Sequence, residues 1–326
     1  MKLLKNLSTF ASLASLIVLS TMSSAYAQAS NVVRIIVPFA PGGTTDLIAR
    51  IISPALSQQL GQTIVVENKS GAGGIVGTAE IAKAAPDGLT LGIGTASSLA
   101  TNPAINPKLP YDPIKDFTPI VNIAATPNVI AVHPDFLAKN YKEFLAELKK
   151  NPGKHSFASS GTGGIGHLQM ELYKSNTSTF ITHIPYRGAG PALLDVVGGQ
   201  VPVIFDNFPS AQKYITSKQL IPMVIASPKR LATLPGVPTF EEVGLKTVNR
   251  MAFYGLIGPK NMPAETVDRL NAAVKKVLAD PVIRDRIEKT GSIVIGNSPA
   301  DFKTELRNEF FNYVTVVNSA KLTLDR

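Results

Sequence analysis

Apolar and polar positions alternate along the chain with two recurring periods. Short apolar runs of strand length, Val32–Val37, Thr63–Glu67 and Leu89–Thr95, punctuate stretches in which apolar residues return every three or four positions. Over Thr45–Leu60 the residues Leu47, Ile48, Ile51, Ile52, Ala55 and Leu56 share one face, which predicts an amphipathic helix that Pro54 bends or interrupts. After the Gly-rich loop Ser70–Gly74 a second helix is expected through Ala85, and Pro86-Asp87-Gly88 turns the chain into the next strand. Ala96-Ser97-Ser98 reads as one more polar loop at a strand end.

The second half repeats this logic. Apolar segments flanking Thr126-Pro127-Asn128, within Val121–His133, mark a crossing into a second domain. There Tyr141–Asn151, Ile165–Ser175 and Pro191–Val197 read as helices, and Ser156–Ala158, Phe180–Pro185, Val201–Asp206 and Leu220–Ala226 as strands. Met251–Ile257 is the expected return crossing, followed by helices over Pro263–Ala279, Pro281–Thr290 and Pro299–Ala320. Alternating β and α units give an α/β class. The chain length favours two domains, residues 28–129 with 253–326 forming one and 130–252 the other.

The first residues add a destination. Lys2 and Lys5 precede an apolar run from Leu7 to Leu19, and Ala25-Tyr26-Ala27 has the small-x-small pattern of a signal-peptidase site, so cleavage is expected near Ala27 and export to the periplasm follows. The apolar run is short for a bilayer span. With no cysteine, the exported chain forms no disulfide and relies on its core. Losing Lys2 and Lys5 lowers the formal charge from +9 to about +7, and the basic residues are scattered among acids. That pattern argues against a nucleic-acid-binding stripe and leaves a mild field for small anions.

Chemistry concentrates where strands run into helices. In Arg34–Asp46 an apolar strand meets Gly42-Gly43 and then a helix start, and the free N–H groups of a first helical turn favour an anion such as a carboxylate. Ser159–Gly164, followed by the helix from Ile165, is a second seat of this kind. Asp46 either caps its helix or accepts a hydrogen bond from a guest; Arg187 either pairs with a distal carboxylate or faces solvent. Ser97, Ser160 and Thr162 either donate hydroxyls or cap helices. Gly71-Ala72-Gly73-Gly74-Ile75-Val76-Gly77 fails the dinucleotide fingerprint, which needs glycine at position 76. The histidines His133, His155, His167 and His183 have no metal-binding spacing, and no Ser stands in a nucleophile elbow. A dispersed Ser/His/Asp site, making the chain an exported hydrolase of small esters or amides, is the alternative function.

A resemblance covers nearly the whole exported chain. Pro38-Phe39-Ala40-Pro41-Gly42-Gly43-Thr44-Thr45-Asp46, Gly61–Asn68, Gly71–Gly74, Pro86-Asp87-Gly88, Tyr111-Asp112-Pro113 with Asp116-Phe117, Ser160–Gly163, and Pro185-Tyr186-Arg187-Gly188 with Gly198-Gly199-Gln200 occur in the order seen in the Bug family. These are the TctC-like extracytoplasmic solute receptors of tripartite tricarboxylate transporters. One departure is Phe253-Tyr254-Gly255, where many members carry Trp-Tyr-Gly. The resemblance implies a type II periplasmic binding protein fold, two α/β lobes joined by two crossing segments with a ligand cleft between them and the C-terminal helices returning to the first. It implies carboxylate contacts from Phe39, Ala40, Gly42, Gly43, Thr44 and Asp46 and from the turn at Thr95 and Ser97. The opposite wall would come from Ser160, Thr162, Gly163, Arg187, Gly188, Ala189 and Asp206. It also implies a monomeric receptor without cofactor, metal or nucleic acid, whose partners are the small carboxylate and the membrane subunits of a tripartite transporter.

Overall fold

The computed structural model describes residues 32–323; the expected signal sequence and its cleavage point lie outside the described residues. Strand β1 (Val32–Val37) leads through Gly42-Gly43 into helix α1 (Thr44–Leu60), then β2 (Thr63–Asn68), α2 (Ile75–Ala82) and β3 (Thr90–Thr95). A wide helical turn at Ser97–Thr101, continued by the short α3 (Asn102–Ile105), precedes β4 (Phe117–Thr126). After Pro127 come β5 (Asn128–Val132), α4 (Tyr141–Lys150), β6 (Ser156–Ser159), α5 (Ile165–Thr177), β7 (Thr182–Pro185), α6 (Ala189–Val197), β8 (Val203–Asn207), α7 (Phe208–Thr216) and β9 (Ile221–Ala226). The chain returns with β10 (Ala252–Pro259), α8 (Ala264–Ala279), α9 (Pro281–Glu288), β11 (Ile293–Val294) and α10 (Pro299–Ser319).

Two sheets result. The first has the order β11-β4-β10-β3-β1-β2, with β1 parallel to both β2 and β3, and β10 antiparallel to β3 and β4. The second has the order β7-β6-β8-β5-β9, with β6 parallel to β7 and β8 and β5 antiparallel to β8 and β9. The outward crossing is a single residue, Pro127, between a strand of one sheet and a strand of the other. A proline suits that position because it cannot donate to either ladder. The first lobe is centred on a core that runs from Ile35 and Ile36 through Leu256 to Phe302, and the second packs both faces of its sheet around Phe157, Phe205 and Ile204.

Several sequence expectations change here. Helix α1 runs unbroken through Pro54: only the Arg50 carbonyl loses its partner, at an exposed residue, while the buried face holds the remaining turns. Ala96-Ser97-Ser98 is not a loop but the start of the buried helical turn, and α7 is a helix that the pattern after Asp206 did not reveal. The last helix belongs to both lobes. Phe302, Leu306, Tyr313 and Val317 of α10 join the first core, whereas Val316 packs against the second, followed there by Ala320 and Leu322.

Candidate functional site

The lobes meet along a seam of backbone and short polar side chains. Ala40 N donates to Arg187 O at 3.2 Å, and Thr101 Oγ1 donates to Gly163 O at 2.8 Å. Ser97 Oγ accepts from Ile165 N at 3.0 Å, and Thr44 Oγ1 bonds Ser210 Oγ at 3.1 Å. Asn102 Nδ2 reaches Gly73 O on its own lobe at 3.1 Å and Thr162 O on the other at 3.4 Å. Glycine is needed where these backbones touch: a Cβ at Gly73, whose φ is +62°, would lie 2.4 Å from Thr162 O.

Within the seam is a small cavity, with about 10 Å³ of free volume, lined by Phe39, Gly43, Thr44, Thr45, Thr95, Ser97, Ser160, Ala189, Asn207 and Tyr254. That is the space of about one water. Two helices from opposite lobes start at its wall, α1 after Gly43 and α6 after Gly188, and neither has a side-chain cap. Their first turns, with their positive dipole ends, adjoin one space that, among the described residues, no Lys or Arg side chain lines. Main-chain donors and hydroxyls gathered in this way have the chemistry that suits an anion. Larger grooves, such as one of about 600 Å³ along Ile114, Pro119, Lys260 and Lys303, lie on the first lobe alone.

Of the residues singled out in the sequence, Phe39, Gly43, Thr44, Thr95, Ser97, Ser160 and Ala189 line this cavity. Ala40, Thr162 and Gly163 stand in the seam, as does Gly188, where a Cβ would fall 2.8 Å from Ala40 N. Gly42 donates its N–H to Asp46 Oδ2 at 3.2 Å. The Asp46 carboxylate also accepts from Arg50 Nε at 2.9 Å and Asn68 Nδ2 at 3.0 Å, so it braces the α1 entry and does not line the cavity. Arg187 is exposed and joins the seam only through its carbonyl. Asp206 is buried behind Ser210, whose hydroxyl donates to it at 2.6 Å; burial pushes this carboxyl up to about 7. Thr45, Asn207 and Tyr254 complete the wall. Tyr254 falls in the Phe253-Tyr254-Gly255 stretch, which was a usable signal, while Asn207 had none because the helix it opens was unrecognised.

The second-lobe loop rests on a pair of imidazoles. His167 Nδ1 accepts the Gly163 N–H at 3.1 Å, its ring stacks on His183 at 4.0 Å, and His183 Nε2 lies 2.7 Å from Ser159 Oγ. Burial, with the charge of Lys174 adding to it, lowers His167 to about 4; burial, with His167 and Lys174 adding, lowers His183 to about 3. An unfolded chain takes these protons first, so the stability from keeping both rings neutral is full above their ordinary pKa and is lost as pH falls toward 4. Asp206 acts oppositely, favouring the fold at low pH and losing that contribution as pH rises toward 7. The melting temperature is expected to rise between pH 4 and 6.5, and the combined His167→Gln and His183→Asn variant is expected to reverse that slope. A profile unchanged by the two substitutions contradicts this account.

The family model described as "Tripartite tricarboxylate transporter family receptor" matches residues 48–310. The chain belongs to this receptor family. Protein BugT of Bordetella pertussis is 32% identical over 286 residues, covering 87% of this chain and 88% of BugT. A solved periplasmic transporter shares 49% identity with a TM-score of 0.89, over 90% of this chain and 98% of that one. MatC from Rhodopseudomonas palustris, solved with bound malate, shares 33% identity with a TM-score of 0.84, over 88% and 98% of the two chains. The fold of this receptor is therefore the periplasmic binding protein fold, and its family consists of periplasmic solute-binding receptors rather than enzymes. The Ser159–His183 contact agrees with that. Ser159 is fully buried, also exchanges hydrogen bonds with Gly161, and His183 is backed by aromatic rings without a carboxylate, so the pair braces a loop and is no triad.

Proposed function

We propose that this receptor captures a small organic carboxylate between its lobes in the periplasm and presents it to a tripartite tricarboxylate-type membrane transporter. The observation that carries the reading is the convergence of two uncapped helix starts, one per lobe, on a cavity that no basic side chain among the described residues lines. The malate bound to the similar MatC supports the ligand class. The cavity has the volume of one water, so a carboxylate enters with the lobes apart, and closure around it adds the seam contacts. In this reading the chain is made as a precursor cut near Ala27 and works as a monomer. Residues 28–129 with 253–326 move against 130–252.

A thermal-shift screen of organic acids on the purified exported chain tests it. At about 100 times Kd the cognate acid is expected to raise the melting temperature by about 5–10 °C. Neutral sugars and amines are expected to leave it unchanged. A shift from one of those solutes, with none from any acid, overturns the reading.

A further inference from the structure

Beside the cavity a chain of buried amides decides which way one hydroxyl points. The carbonyl oxygen of Arg250, just before β10, can only accept hydrogen bonds. Asn128 Nδ2 reaches it at 2.8 Å and Gln169 Nε2 at 3.0 Å, so both side chains must turn their nitrogens toward it. Asn128 Nδ2 also donates to Gln169 Oε1 at 3.1 Å, which leaves Asn128 Oδ1 facing Asn207. Asn207 therefore gives its Nδ2 to Asn128 and turns Oδ1 to Tyr254. Two oxygens in hydrogen-bond contact need a proton between them, and only the phenol has one. All four side chains are buried, so solvent offers no other arrangement.

The Tyr254 hydrogen is thus committed to Asn207, and its oxygen, beside the hydroxyls of Thr45 and Thr126 at the cavity wall, can only accept. A carboxylate oxygen placed there meets another acceptor, whereas a hydroxyl finds a partner. An ammonium would also donate, but the wall holds no free carboxylate to balance it. Asp46 is paired with Arg50, and Asp206 is covered by Ser210. We propose that the receptor selects hydroxycarboxylates, with Tyr254 accepting the ligand's hydroxyl and Asn207 acting as its positioning residue. This rests on the carboxylate reading above and narrows it.

The test is calorimetry on acids matched except at one substituent: lactate, alanine and propionate, and malate, aspartate and succinate. In the wild type a hydroxy acid is expected to bind at least about tenfold more tightly than its deoxy partner, because its hydroxyl gains a buried acceptor aligned to receive it. In Tyr254→Phe that ratio is expected to fall to about one, and Asn207→Ala, which frees the phenol to turn, is expected to reduce the ratio as well. Thermal melts of both variants establish that they fold. A purely structural role would weaken all acids alike and leave the ratio intact, which overturns the proposal. Tightest binding by an amino acid, or equal binding of hydroxy and deoxy acids, also overturns it while sparing the carboxylate reading. Binding of no acid at all removes both.

Discussion

Gly190→Ala is expected to abolish ligand capture while leaving each lobe folded. Gly190 lies in the first turn of α6, where alanine fits the backbone, yet its Cβ would stand 2.2 Å from Pro41 O on the other lobe. The clash exists only when the lobes meet, so the substitution penalises the closed form and spares the open one. Apparent affinity scales with the population able to close, and a main-chain overlap of this size is expected to weaken carboxylate binding by at least about 100-fold. Calorimetry with the acid found in the screen measures the loss, and small-angle scattering with saturating ligand is expected to show the variant still extended. An affinity within about threefold of wild type would mean that capture does not require this seam.

Phe302→Ala has the largest expected effect on stability. The ring is fully buried on α10, edge-on to Phe253 with centroids 6.0 Å apart, and it occupies the space over Gly255 that a side chain there would take. Removing it leaves a cavity beneath the antiparallel centre of the first sheet, at a cost of about 3–5 kcal/mol. For a chain of this size that corresponds to a fall of roughly 10 °C in melting temperature. Because α10 packs on both cores, denaturation is expected to lose cooperativity as well, read as a shallower transition. A melt within about 2 °C of wild type would place the anchoring of α10 elsewhere.

The sequence was most readable where one period dominates. Val32–Val37 and the apolar face of α1, Leu47 excepted, declared themselves because their apolar residues are buried in the first core, and Thr63–Glu67 because its alternation suits a half-exposed edge strand. The helix start after Gly42-Gly43 was readable because a glycine pair between an apolar strand and an amphipathic run marks a turn. What stayed hidden is tertiary. The wide turn at Ser97–Thr101 is held by Tyr111, whose hydroxyl donates to Ser98 O at 2.7 Å from a distant segment. Asn68 likewise braces the first seat, donating to Phe39 O at 3.0 Å across 29 positions. Asp46 and Arg187 attract notice as charges, but the fold uses one as a helix brace and the other for its carbonyl. Asn207 and Tyr254 gain their meaning from a hydrogen-bond chain that starts at a carbonyl in the return crossing, and no local spacing records that.

In the proposed reading, closure is carried by backbone, glycines and short hydroxyl and amide side chains, and the guest is judged by Asn207 and Tyr254 set into that frame. Two tasks that are fused in many binding sites are thus separable. On that proposal, substituting Asn207 or Tyr254 redirects which metabolite is recognised without rebuilding the seam, so one architecture can diverge toward many nutrients by very few changes.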